Sequence, residues 1–246
     1  MTDKMVNLDE IEIPEIVLRS DATVELIDYM GTEENIARAA RVSTKGSESK
    51  GTEANSGLLR YLYREGHGTP FESCVLQMYL EFPVFTSRQV VKHRLSSINE
   101  ESGRYREMEG VFYIVDENRP LVQVGKTGAY EFELGRPDQR EAVQFVQRST
   151  AEAGWINYVK LKEYGICNEV ARMHLPFQLY SSMYFTANLR SVLNFISLRK
   201  DWGEGAVHRS KAQWEIALVA EQMAKIVEEK YPTVWECFVD NGYKAV

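Results

Sequence analysis

From Cys74 to Phe82 apolar and polar side chains alternate, with Cys74, Leu76, Met78, Leu80 and Phe82 on one face and Val75, Gln77, Tyr79 and Glu81 on the other. A period of two predicts a half-buried strand, and Pro83 ends it. Ala22 to Tyr29 reads as an earlier strand. Gly31-Thr32 then opens a helix whose first turn carries Glu33 and Glu34, the sign a helix N-terminus favours, and which ends near Val42. The polar, Ser/Gly-rich stretch from Ser43 to Ser56 is expected to be a surface loop, and Leu58, Leu59 and Leu62 mark a second helix stopped by Gly66. After Pro83 a helix is expected from about Phe85 to Leu95, followed by a loop from Ser96 to Arg106.

Phe112 to Val115 predicts a short strand, a Gly/Pro-containing connection follows, and a long helix runs from Pro137 to Gly165. Asn168 is placed to cap a short helix that Pro176 terminates. Leu179 to Thr186 reads as another strand, and Asn188 starts a helix carrying Leu189, Val192, Leu193 and Ile196. Beyond a loop from Trp202 to Gly205, Ala212, Ile216, Val219, Met223 and Ile226 recur at three and four, giving one apolar stripe for packing on another helix or subunit, and Pro232 closes that helix. Strands mixed irregularly with long helices predict an α+β fold with an antiparallel or mixed sheet, in one domain over 1–246.

A formal charge of −7 argues against a general electrostatic grip on nucleic acid, so an anionic ligand must be held by local charge. No apolar run approaches the roughly 18 residues of a membrane span, and the start, MTDKMVNLDEIEIPEIV, lacks a basic region followed by an apolar one; a cytoplasmic location is expected. Cys74, Cys167 and Cys237 are widely spaced and expected to be reduced core thiols. No CxxC or HExxH pairing occurs, and His67, His93 and His174 lack ligand-like spacing, so no metal is expected.

Against that acidic background, RQVVKHRLSSINEESGRYR concentrates Arg88, Lys92, Arg94, Arg104 and Arg106 against Glu100 and Glu101 alone. Guanidinium forks match phosphate and carboxylate geometry, so this is a candidate anion site. Helical spacing would put Gln89, Lys92 and His93 on one face. The alternative is a solvated basic helix followed by a polar turn.

The order of these residues narrows the choice. KHRLSSINEESGRY resembles the signature of the flavin-dependent thymidylate synthases, in which Arg-His-Arg is followed after seven residues by a Ser in an Asn-Glu-x-Ser-Gly-Arg-Tyr context; Lys92 stands where the family has the first Arg. RAARVS (Arg38 to Ser43), GHGTPFE (Gly66 to Glu72), EVARMHLP (Glu169 to Pro176), YFTANLRSVLNFISLR (Tyr184 to Arg199) and AQWEI (Ala212 to Ile216) resemble further family segments in the same order. The resemblance implies a homotetramer with FAD at subunit interfaces and active sites drawing on more than one chain. It also implies methylation of dUMP, with 5,10-methylenetetrahydrofolate as carbon donor and NADPH-reduced FAD as hydride source.

Residue by residue, the resemblance assigns the flavin to Thr69, Lys92, His93, Arg94, Glu100, Asn188, Arg190 and Asn194. It assigns the nucleotide to Gln89, Glu100, Ser102, Gly103, Arg104, Arg172 and Arg199, and the folate side to His67. Arg104 and Arg172 would clamp the phosphate, and Arg199 would face uracil N3/O4, where negative charge develops as C5 becomes a nucleophile. Ser102 is either a nucleophile, which needs an adjacent base, or a ligand-positioning group, the role favoured here. Glu72 either lies near the cofactor or caps its turn. Lys92 also motivates an alternative, a flavin- and nucleotide-binding protein without synthase turnover.

Overall fold

The computed structural model describes residues 11–43, 51–126 and 129–246, so the N-terminal stretch and most of the polar loop expected after Ser43 lie outside the described residues. In chain order the elements are β1 (Val17–Arg19), β2 (Thr23–Met30), α1 (Glu33–Arg41), α2 (Thr52–Arg64), a 3₁₀ segment (Thr69–Ser73), β3 (Val75–Pro83), α3 (Val84–Val90), β4 (Ser97–Glu100) and β5 (Val111–Tyr113). They continue with β6 (Val122–Lys126), β7 (Ala129–Glu133), α4 (Pro137–Glu163), α5 (Asn168–Ala171), a 3₁₀ turn (Arg172–His174), β8 (Tyr180–Asn188), α6 (Leu189–Arg199), α7 (Trp214–Lys230) and α8 (Pro232–Asp240). The fold is α+β, as the pattern predicts.

Among the described residues the elements group into two compact units: a first comprising 11–21, 83–85, 101–126 and 129–181, and a second comprising 22–43, 51–82, 86–100 and 182–246. The second is built on a four-stranded sheet in the order β2-β3-β8-β4. The alternation read in β3 is real, since Leu76, Met78, Leu80 and Phe82 are fully buried while the intervening positions are half-buried. The helices α1, α2, α6, α7 and α8 supply most of the rest of this core, and the apolar stripe of α7 (Ile216, Val219, Met223, Val227) is buried within it. β4 corrects an expected loop: Ser97 to Glu100 pair antiparallel with Thr186 to Met183 of β8. A short strand at a sheet edge needs no apolar face, so its polar composition hid it.

α3 also ends earlier than expected, at Val90. The chain leaves it through a tight turn, with Lys92 N–H donating to Gln89 O at 3.4 Å and His93 N–H to Val90 O at 3.0 Å. Val91 and Leu95, which a longer helix would have to bury, are exposed. α2 starts at Thr52, inside the expected loop. Its far end is a Schellman motif around Gly66 (φ 72°), with His67 N–H reaching Leu62 O at 2.8 Å and Gly66 N–H reaching Tyr63 O at 3.1 Å.

In the first unit, α4 carries Ala151, Trp155 and Tyr158 into a small core with Phe112, Ala171 and Leu179. β1 pairs in parallel with β5, and β6 and β7 form an antiparallel hairpin in what reads from sequence as an irregular connection. Cys167, rather than Asn168, is the N-cap of α5, and Cys167 is exposed where a core thiol was expected; Cys74 and Cys237 are buried.

Candidate active site

In the second unit a cavity of about 490 Å³ opens beside α6. Its geometry starts at Asn188, whose Oδ1 accepts the Ser191 N–H at 2.9 Å, while Leu189 N–H donates to Cys74 O at 2.9 Å and ties the helix start to β3's lead-in. Such a cap contributes about 1 kcal/mol and fixes the helix phase. Arg190, Asn194 and Leu198 then recur every four residues on one face and line the cavity with Arg199. The segment after α3 contributes Lys92, His93, Arg94 and Leu95, and Glu72 comes from the 3₁₀ segment.

Two arginines are held by different means. Arg190 donates through Nη1 to Glu72 Oε1 at 2.7 Å and through Nε to the Val246 backbone oxygen at 2.9 Å. Its guanidinium lies against Gly68, where a Cβ would sit 2.5 Å from Nε, so a side chain at the second glycine of GHGTPFE would displace the Arg190 guanidinium. Arg199 donates through Nε to His93 Nε2 at 2.9 Å and through Nη2 to Gln89 O at 3.3 Å. Because His93 Nε2 accepts, the imidazole is neutral with its proton on Nδ1. Burial, reinforced by the adjacent Arg199 charge, depresses the His93 pKa to about 4, and the ring lies 4.4 Å from that of Phe195. Burial lowers the Arg199 pKa as well. Arg199 is thus fixed by neutral acceptors, with no carboxylate partner among the described residues.

Gln89 is bonded on its side chain too. Its Nε2 donates to Gln213 Oε1 at 2.6 Å, and Gln213 Nε2 donates to Glu215 Oε2 at 2.8 Å. Neither Gln213 nor Glu215 was assigned a role from sequence, although both lie in the AQWEI segment. A polar pair at the head of an apolar helix was the available signal.

The cavity therefore gathers Lys92, His93, Arg94, Arg190, Asn194 and Arg199 from the expected set. Asn188 serves as a helix cap and is not a lining residue, and neither are Thr69 or His67. Thr69 and His67 are exposed, the latter edge-on to Tyr61 with ring centroids 6.0 Å apart. Glu100 lies at the end of the edge strand β4, opposite Met183.

The first unit holds the remaining expected nucleotide contacts. Ser102 heads a turn, its backbone oxygen accepting from Tyr105 and Arg106 N–H at 3.0 and 3.2 Å and its Oγ from Arg104 N–H at 3.4 Å. Among the described residues no base is bonded to that hydroxyl. Gly103 is buried, and a Cβ there would stand 2.7 Å from Met108 Sδ and 3.3 Å from Arg172 Cδ. Arg104 pairs with Glu169 at 3.2 Å, both half exposed, and Arg172 is exposed.

A cavity ringed by Lys92, Arg94, Arg190 and Arg199, with Glu72 as the one acidic side chain in its lining, defines a binder of an anionic cofactor or nucleotide. The model of the family described as thymidylate synthase complementing protein matches residues 25–233. The flavin-dependent thymidylate synthase of Streptomyces coelicolor is 41% identical over 235 residues, covering 93% of this chain and 95% of its own. That of Tropheryma whipplei is 40% identical over 230 residues, covering 92% and 95%. The crystal structure of the UMP/dUMP methylase PolB from Streptomyces cacaoi, bound with 5-Br UMP, superposes with a TM-score of 0.87 at 39% identity, covering 95% of this chain and all of that one. The chain belongs to the flavin-dependent thymidylate synthase family.

Proposed function

We propose that this chain methylates dUMP to dTMP, taking the one-carbon unit from 5,10-methylenetetrahydrofolate and reducing equivalents from NADPH through FAD. The observation that carries the reading is Arg199, a partly buried guanidinium held by His93 and Gln89 at the wall of a cation-lined cavity. The names of the relatives, and the nucleotides named for PolB, support it.

The residues present fit a flavin dinucleotide. The volume lies within the range of cofactor sites, Lys92 and Arg94 have no ion-pair partner among the described residues, and Asn194 offers both a donor and an acceptor. Lys92, Arg94 and Arg190 would oppose the diphosphate or the anionic reduced ring, and His93, Asn194 and Phe185 would border it. When bound, the flavin supplies the redox chemistry that NADPH drives. Lys92 in place of the family's arginine keeps the charge and loses a planar fork, which fits a point-charge contact.

Arg199 supplies electrostatic activation of the nucleotide: a guanidinium at the N3/O4 side of uracil stabilises the charge that accumulates there as C5 attacks the one-carbon unit. Ser102, Gly103, Arg104 and Arg172 are assigned to nucleotide positioning, with Gln89 and Glu100, and His67 to the folate. In a homotetramer whose sites draw on several subunits, these groups need not come from one copy. We take 1–246 as one domain, a reading supported by a family match that runs through residues of both units. No described helix is long and apolar enough to cross a membrane, which suits a cytoplasmic enzyme.

PolB is named for UMP as well as dUMP, which favours one further reading, acceptance of the ribonucleotide. An anaerobic visible spectrum tests both. NADPH should bleach bound FAD, methylenetetrahydrofolate with dUMP should restore the absorbance, and dTMP should appear. Replacing dUMP by UMP in the same cuvette measures the ribonucleotide reading. Flavin that reduces without reoxidation or product would instead identify the binding protein without turnover.

A further inference from the structure

Resting on the reading of Gln89 as a nucleotide contact, we propose that Gln213 and Glu215 are positioning residues that fix the polarity of the Gln89 amide, so that Gln89 presents its oxygen to a hydrogen-bond donor of the nucleotide. An amide side chain is ambiguous by itself, because its two ends differ only in whether they donate or accept. Here the ambiguity is removed from the far end. Glu215 is buried, with 3% exposure, and sits in the first turn of α7, where the helix dipole favours a carboxylate. Gln213 turns its NH2 toward that carboxyl group, Nε2 donating to Glu215 Oε2 at 2.8 Å, where the oxygen accepts.

The Gln213 oxygen then faces Gln89, and Gln89 Nε2 donates to it at 2.6 Å. One end of the Gln89 amide is thereby consumed, and the end left without a partner among the described residues is Oε1. Gln213 is free for this task because, although it is the N-cap of α7, its side chain makes no capping bond. The same Gln89 accepts Arg199 Nη2 on its backbone oxygen at 3.3 Å, so the oriented amide and the activating guanidinium belong to adjoining parts of one constellation. An acceptor fixed beside a cation reads a ligand with a donor, a ring N–H or a sugar hydroxyl, next to an anionic or polarised edge. A uracil nucleotide has both features. A pyrimidine that offers an acceptor in place of the ring N–H does not match at that point.

Gln213→Met, close in volume and without polar ends, tests the chain of bonds by measuring dUMP affinity and steady-state parameters in the full-length FAD-loaded enzyme. The loss of one oriented hydrogen bond should raise KM and Kd for dUMP about 3- to 10-fold, with kcat changed far less. In a Gln89→Ala background the same substitution should have no effect on dUMP, because nothing remains to be oriented. If Gln213→Met prevents folding, Glu215→Gln replaces it. There an amide takes the carboxylate's place, the chain can reverse so that Gln89 shows its NH2, and KM again rises only where Gln89 is present. An unchanged dUMP KM, or an equal rise in the Gln89→Ala background, would overturn the proposal. Failure of the wild type to bind dUMP would overturn the nucleotide reading beneath it.

Discussion

Arg199 and Arg104 show two ways of keeping a guanidinium ready for an anion. In the second unit Arg199 is partly buried and, among the described residues, bonded only to neutral acceptors, His93 Nε2 and Gln89 O, so its direction is fixed while its charge stays available. In the first unit Arg104 is exposed and rests on Glu169, itself exposed. A surface pair of that kind contributes about 0–1 kcal/mol, so an incoming phosphate can displace the carboxylate at little cost. Neutral acceptors suit a group that must point at developing charge, and a weak carboxylate partner suits a group that closes on ligand charge already present. Arg190 stands between them, with one carboxylate bond and one backbone bond in a partly open cavity.

The sharpest way to break the comparison is Arg199→Ala, expected to lower kcat for dTMP formation by about 100-fold or more while flavin stays bound. A loss confined to KM would place Arg199 with the binding groups instead. Next in size is Arg190→Ala, which leaves Glu72 unpaired at the cavity wall and should weaken FAD about 10-fold in a fluorescence titration. Gly68→Ala should reproduce part of that loss, since its Cβ would occupy the space of the Arg190 guanidinium.

His93 gives the comparison a pH axis. With its folded pKa held at about 4 against an ordinary value of 6.5, the unfolded chain binds the extra proton between those limits. His93 therefore contributes stability above pH 6.5 that is lost as pH falls toward 4. His93→Gln should flatten the dependence of Tm on pH across that window relative to wild type. The smallest effect is expected from Glu169→Ala, which frees Arg104: dUMP KM should fall about twofold or less, and Tm should barely move.

How much of this was legible in the sequence depended on how local the cause is. The β3 strand could be read because its alternation is a local pattern, and α6 because Asn188 and the following apolar spacing are neighbours in the chain. β4 and the β6–β7 hairpin were hidden, being short edge or two-stranded elements whose partners, not their composition, make them strands. The premature end of α3 was hidden because Leu95 looks like core until its exposure is known. At the site, the cation excess and the ordered blocks pointed to six residues that line one cavity, Lys92, His93, Arg94, Arg190, Asn194 and Arg199. The Gln89–Gln213 bond joins positions 124 residues apart, and no spacing rule reaches that far. Asn188 was read for two roles, and the cap is the one the geometry displays.

The central claim is that the cavity beside α6 holds the flavin, and filling it tests that claim most directly. Asn194→Trp places a large side chain at an exposed, cavity-lining position without entering the core. FAD titration of this variant should show binding abolished or weakened at least about 10-fold, with the fold intact by circular dichroism. Wild-type FAD affinity in Asn194→Trp would contradict the assignment and move the flavin elsewhere on the protein.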